Sequence, residues 1–119
     1  MTRVSVVIPA LNDSPMLANC LRALAAQTRL ADEIIVVDNG STDDTAAVAL
    51  AAGALVIEEP LRGICPATAA GFDAASGDLL ARLDADSVPP ADWLERIVTA
   101  FENDPHLAAL SGPGDFYGS

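Results

Sequence analysis

Along this chain the apolar residues gather in short unbroken runs separated by polar turns, and do not alternate with polar residues. Residues 4–9, Val-Ser-Val-Val-Ile-Pro, predict a buried strand closed by Pro9. Ser14 and Pro15 read as an N-cap and a first helical position, and Leu17, Leu21 and Leu24 continue that helix to about Gln27. Residues 33–38 form a second apolar run that ends at Asp38. Ser41 and Asp44 have the spacing of a capping box, opening an Ala-rich helix to about Ala52 with Gly53 as its stop. Residues 54–59 predict a third strand, 66–76 a helix stopped by Gly77, and 78–84 a fourth strand. After Pro89 and Pro90, the spacing of Trp93, Ile97, Val98 and Phe101 predicts another helix. A short strand is expected near 107–110, and the Gly-rich tail shows no periodicity.

Strand and helix alternate throughout, and unbroken apolar strands need cover on both faces. The expected fold is therefore α/β: a mostly parallel open sheet flanked by helices, Rossmann-like in layout, with right-handed crossovers. With 119 residues the chain suffices for one domain. No apolar run reaches the roughly 20 residues that span a bilayer, and the N-terminus lacks the features of a signal peptide. A cytoplasmic location is expected, or the cytosolic part of a longer, membrane-associated protein.

Charge narrows the chemistry. The net charge is −11 and all six basic residues are arginine. Such a chain does not bind nucleic acid through a basic surface, and without lysine it has no P-loop. An acidic protein that handles a phosphorylated ligand needs another positive charge, for which a divalent metal is the natural candidate. Cys20 and Cys65 lack paired spacing and are expected to be reduced and buried. His106 has no partner at zinc-site spacing and is expected at a surface or in a loop.

Ligands of open parallel sheets bind beyond the carboxyl ends of the strands, and the polar residues concentrate at those ends. Pro9 and Ala10 either end a strand or offer a fixed backbone and a small side chain to a flat base. Asp38 is either satisfied by nearby amides or functional. Asn39 and Gly40 form a turn dipeptide, and Asp43 and Asp44 suit the first turn of a helix. Arg62, beside Gly63, either meets a ligand or pairs with a surface carboxylate. Asp84 and Asp86 differ from these: in an extended chain they share a face about 7 Å apart. They repel each other unless a cation lies near, and Mg2+ or Mn2+ takes oxygen ligands together with substrate phosphates.

Three motifs, Val-Ser-Val-Val-Ile-Pro-Ala-Leu-Asn-Asp (4–13), residues 32–46 around Asp38-Asn39-Gly40-Ser41 and residues 77–94 around Asp84-Ala85-Asp86, follow in this order over nearly the whole chain. Together they resemble the family 2 glycosyltransferases of GT-A fold. The resemblance implies metal-dependent transfer of a sugar from a nucleotide diphosphate donor to an acceptor hydroxyl, with inversion and with Mn2+ or Mg2+. It implies that Pro9 and Ala10 border the base, that Asn12 belongs to the donor site, and that Asp38 and Asn39 face the nucleoside. Arg62 would approach the base, Asp84 the ribose or metal with Ala85 between, and Asp86 would coordinate the metal.

Some positions depart from that pattern. Asn39 stands where the family often has an acid, which leaves UDP-, dTDP- and GDP-sugars all open as donors. Thr68 and Ala69 replace an Arg-Asn pair. No convincing catalytic base follows Asp86, Asp115 included, so residues 1–119 are expected to be a donor-binding domain without the acceptor half; the acceptor is unknown. A non-catalytic nucleotide-binding or assembly module is the alternative, and an uncovered sheet predicts a homodimer or poor solubility. A haloacid-dehalogenase-type phosphohydrolase fits Asp84-Ala85-Asp86 but needs a lysine, as a receiver domain does. Nucleotidyltransferases need a basic, Gly-rich loop after strand one.

Overall fold

The computed structural model describes residues 2–103 and 114–118. Its elements run β1 (Val4–Ala10), α1 (Ser14–Ala25), β2 (Glu33–Asp38), α2 (Thr45–Ala51), β3 (Leu55–Glu58), α3 (Ile64–Ala74), β4 (Leu79–Leu83), α4 (Trp93–Asn103) and β5 (Gly114–Gly118). The sheet order is β3-β2-β1-β4-β5. The first four strands are parallel, and β5 pairs antiparallel with β4. Chain order runs outward from β1 to β3, then crosses back to β4 on the other side of β1. That reversal makes the gap between β1 and β4 the topological switch point.

Central β1 is covered on both faces, which is why its sequence shows no polar alternation. Val4, Val6, Ile8 and Ala10 join a core with residues of α1 and α4, including Leu17, Leu24, Trp93 and Ile97. Val7 faces the other way, with Ile35, Val37 and Ala67 under α3. Among the described residues no helix is long and apolar enough to cross a membrane.

Several local expectations are corrected. Ser14 is the first residue of α1, and its predecessor Asp13 occupies the cap position without a side-chain cap bond. The Ser41/Asp44 capping box does not form: α2 starts at Thr45, and Asp44 makes no side-chain cap bond. Instead the Asp43 carboxylate accepts the Thr45 N–H and hydroxyl, and the Ser41 Oγ accepts the Asn12 N–H at 2.9 Å. Gly53, at φ +85°, does follow α2 as expected.

Gly77 is not the stop of α3, which ends at Ala74 with Ala75 already extended. Its role is steric, since a Cβ there would lie 2.6 Å from Ser5 Oγ and 2.9 Å from Arg3 O. The tail expected to be aperiodic supplies β5, because the β4 backbone, not a side-chain pattern, offers it hydrogen bonds. His106 and the strand expected at 107–110 lie outside the described residues.

Polar groups at the opposite end of the sheet tie the strands together. Fully buried Ser5 donates to Glu33 Oε1 at 2.8 Å and accepts the Gly77 N–H at 2.9 Å. The Ser76 N–H also donates to Glu33, and this bond is the main cause holding the Glu33 carboxyl below its ordinary 4.5. A folded value below the unfolded one means stabilisation that is complete above that range and lost as the pH falls through the folded value. Glu33→Gln is therefore expected to flatten the loss of stability between about pH 5 and pH 3. Urea midpoints across that range test this, and an unchanged slope in the variant would exclude Glu33 as a source.

Candidate functional site

A cavity of about 370 Å3 opens at the switch point, within the usual size for small-molecule sites. Pro9 and Ala10 form its floor at the end of β1, and Asp84, Ala85 and Asp86 line the β4 side. Asn39, Gly63 and Ala67 line the side toward β2 and α3, and Leu11 and Asp13 complete it. Residues far apart in sequence meet here because parallel strands carry all their carboxyl ends to one rim.

The two aspartates do not sit in one extended run. β4 ends at Leu83, and a turn follows in which the Ser87 N–H donates to Asp84 O at 3.0 Å. The turn buries Ala85 and still leaves both carboxylates on the cavity. Arg82 Nη2 lies 3.7 Å from Asp84 Oδ1, a loose pair across partly exposed side chains. From α1, the Cys20 thiol donates to Asp84 O at 3.8 Å and braces the turn.

Of the other assigned residues, Pro9, Ala10 and Asn39 reach the cavity, whereas Asn12 and Asp38 do not line it. Asn12, at φ +52°, turns its side chain toward the loop before α2, where Oδ1 accepts the Thr42 N–H at 2.8 Å. Asp38 is buried and accepts the Ser41 N–H at 2.9 Å. Arg62 is exposed and does not line the cavity either, although its neighbour Gly63 does; its guanidinium lies near Gly40, where an added Cβ would be 3.9 Å from Nε and Nη2.

Four lining residues were not assigned from the sequence: Leu11, Asp13, Gly63 and Ala67. Asp13 lies in a motif that was noted, and its Oδ2 accepts the Leu11 N–H at 3.2 Å. Gly63 and Ala67 are spaced i, i+4 at the start of α3, a small-residue face that marks close approach only once the helix is placed. Gly63 sits at φ +130°, where side chains are rarely accommodated. Gln27 was expected only as the approximate end of α1, which stops at Ala25. It is buried, donating to Pro90 O at 2.7 Å and accepting the Leu94 N–H at 3.0 Å, so it fastens the segment after Asp86 to α1.

Both cysteines are free, but only Cys20 is buried, and Cys65 is exposed, contrary to expectation. Burial, with the Asp86 and Asp84 charges adding to it, pushes the Cys20 thiol up to about 12. Since the thiolate is the reactive form, a thiol reagent at about pH 8 is expected to label Cys65 alone in the native chain and both thiols in denaturant. Two rapidly labelled thiols in the native chain would contradict the buried placement.

An open, mostly parallel sheet with a cavity at its switch point defines a doubly wound α/β protein. The family model described as glycosyl transferase family 2 matches residues 5–118. Glycosyltransferase AglE of Haloferax volcanii is 38% identical over 104 residues, covering 81% of this chain and 34% of that protein. Glucosyl-3-phosphoglycerate synthase of Mycobacterium tuberculosis, solved with Mn2+, UDP and glucosyl-3-phosphoglycerate, superposes with a TM-score of 0.70 at 32% identity. That match covers 85% of this chain and 39% of the synthase chain. A mannosyltransferase of Pyrobaculum calidifontis, solved with GDP-Man and Mn2+, has the same fold at TM-score 0.85 and 23% identity, over 98% of this chain and 44% of its own. This chain belongs to glycosyl transferase family 2 and has the GT-A fold. It spans 30–44% of the length of these curated relatives.

Proposed function

We propose that these residues are the donor-binding part of a metal-dependent glycosyltransferase that moves a sugar from a nucleotide diphosphate to an acceptor hydroxyl, with inversion. The observation that carries this reading is the meeting of Pro9, Ala10, Asp84, Ala85 and Asp86 on one cavity at the switch point. The synthase of Mycobacterium tuberculosis, which holds UDP with Mn2+ or Mg2+, supports it.

The residues fit a divalent cation of a particular kind. Asp84 and Asp86 offer hard oxygen donors, yet among the described residues no group of three or more His, Cys, Asp or Glu side chains could hold a metal. Two carboxylates suit Mg2+ or Mn2+, which completes its shell with waters and substrate phosphates. Bound there, the cation would neutralise charge on the departing diphosphate. Asp13, Asp84 and Asp86 all face the cavity, so without a cation they repel a diphosphate. Pro9 and Ala10 present a small, fixed wall to the flat base. The reading assigns no catalytic base among these residues.

Titration of the chain with UDP, dTDP and GDP, with and without Mn2+, tests the proposal. Tighter binding with metal is expected for at least one of them; if metal strengthens none, the donor-site reading fails. Slow release of sugar from a bound donor would favour a transferase over a module that only binds.

A further inference from the structure

We propose that Asn39 is a positioning residue: its side-chain amide holds the 59–63 loop, and through it Arg62, at the cavity and does not read the base of a bound nucleotide. The inference rests on the donor-binding reading above for its ligand, though not for its geometry.

A primary amide has two N–H donors and an oxygen with two lone pairs. In Asn39, Nδ2 donates to Glu59 O at 2.8 Å and to Leu61 O at 3.0 Å, and Oδ1 accepts the Gly63 N–H at 3.0 Å. Both donors and one lone pair are thus engaged by backbone, and the residue is only 6% exposed. The Asn39 main chain is itself anchored, its N–H donating to Ala10 O at 2.9 Å. The amide therefore links the end of β1 and β2 to the loop between β3 and α3.

Arg62 lies between the two tethered residues, Leu61 and Gly63. Its guanidinium lies near Gly40, the neighbour of Asn39, at ordinary contact distance from where a Cβ would stand. Gly63, the next residue, lines the cavity together with Asp13, Asp84 and Asp86, so in a chain of net charge −11 Arg62 is the cation next in sequence to that lining. Where the loop is held decides where an anionic ligand meets positive charge from the protein.

An aspartate at position 39 would turn carboxylate oxygens toward the carbonyls of Glu59 and Leu61 and could donate to neither. Asn39→Asp is thus expected to free the loop, raising amide hydrogen exchange at Gly63, whose N–H the amide oxygen accepts. It should weaken UDP and GDP binding with Mn2+ by the same factor, about 10-fold, the scale of one lost charge-assisted hydrogen bond. Because the amide acts through Arg62, Asn39→Asp added to Arg62→Ala should weaken binding no further than Arg62→Ala alone. Protonating the new carboxyl restores one donor, so loop protection in the variant should recover as the pH falls through the carboxylate range.

In the unsubstituted chain, the Gly63 amide should exchange far more slowly than an unstructured glycine. That measurement needs no variant and stands even if Asn39→Asp does not fold. The inference is overturned by an unprotected Gly63 amide, by multiplying effects of the two substitutions, or by a changed UDP-to-GDP ratio with unaltered exchange at Gly63. If the unsubstituted chain binds no nucleoside diphosphate, the donor reading fails, while the exchange measurements still decide whether the amide holds the loop.

Discussion

Asp86→Ala is expected to abolish the metal-dependent part of nucleoside diphosphate binding and to leave the fold unharmed. Asp86 is exposed, on the turn after β4, and faces the cavity with Asp84 and Asp13. Removing it takes away one of two hard oxygen donors offered to the cation, and among the described residues no group of three or more candidate ligands could hold the metal in its place. The loss should reach at least the roughly 10- to 100-fold typical for residues that only support metal ligands. Stability should change by less than about 0.5 kcal/mol, as for other exposed positions without structural bonds. Isothermal titration with UDP or GDP, with and without Mn2+, provides the measurement, and thermal melting checks the fold. If Mn2+ strengthens binding by the same factor in the variant, the metal lies elsewhere.

Gly71→Ala is expected to destabilise the chain and to open the cavity, although alanine is the better helix former. Gly71 lies inside α3 where the helix crosses the sheet, and an added Cβ would sit 2.3 Å from Val7 Cγ1 and 3.0 Å from Val37 Cγ2. Val7 and Val37 are fully buried strand residues with no room to retreat, so the helix must move outward. Overpacking of this kind costs about 1–3 kcal/mol, partly offset by about 1 kcal/mol of helix propensity. Ala67 and Gly63 ride on the same helix and line the cavity, so nucleotide affinity should fall along with the melting temperature. Val7→Ala removes the clashing methyl and should restore part of the loss in the double variant, beyond additivity. Strictly additive effects on melting would show that the contact is not the cause.

Much of this architecture was legible in the sequence. The apolar runs located β1 to β4 to within a residue or two, because a strand buried on both faces must be apolar throughout. The heptad-like spacing of α1 and α4 likewise named the residues that enter the core. Asp84 and Asp86 stood out for a related reason, since two charges beside a buried strand need an explanation in any fold. The motifs also sufficed to name the family, which the comparisons established.

The roles of the loop residues were not legible in the same way. Ser41 matched a capping box by spacing, yet a partner 29 residues away took its hydroxyl. Gly77 matched a helix stop, yet its absent side chain serves the backbone of Arg3 and Ser5 across the sheet. Asn39 matched a turn and a base-facing position, and no local pattern announced that its amide bonds a loop more than 20 residues away. Asn12 is expected in the donor site from the resemblance, and only the structure shows that its Oδ1 accepts the Thr42 N–H of the loop before α2.

By itself, then, the sequence determined the order of elements from β1 to α4, the buried faces, the acidic rim and the family, because each depends on local periodicity, composition or motif. Tertiary structure alone decided which polar side chains face the cavity and which hold its loops together. Hydrogen-bond partners are chosen by proximity after the sheet has assembled, and the crossing from β3 back to β4 is what brings Asn39, Gly63 and Asp84 to the same rim.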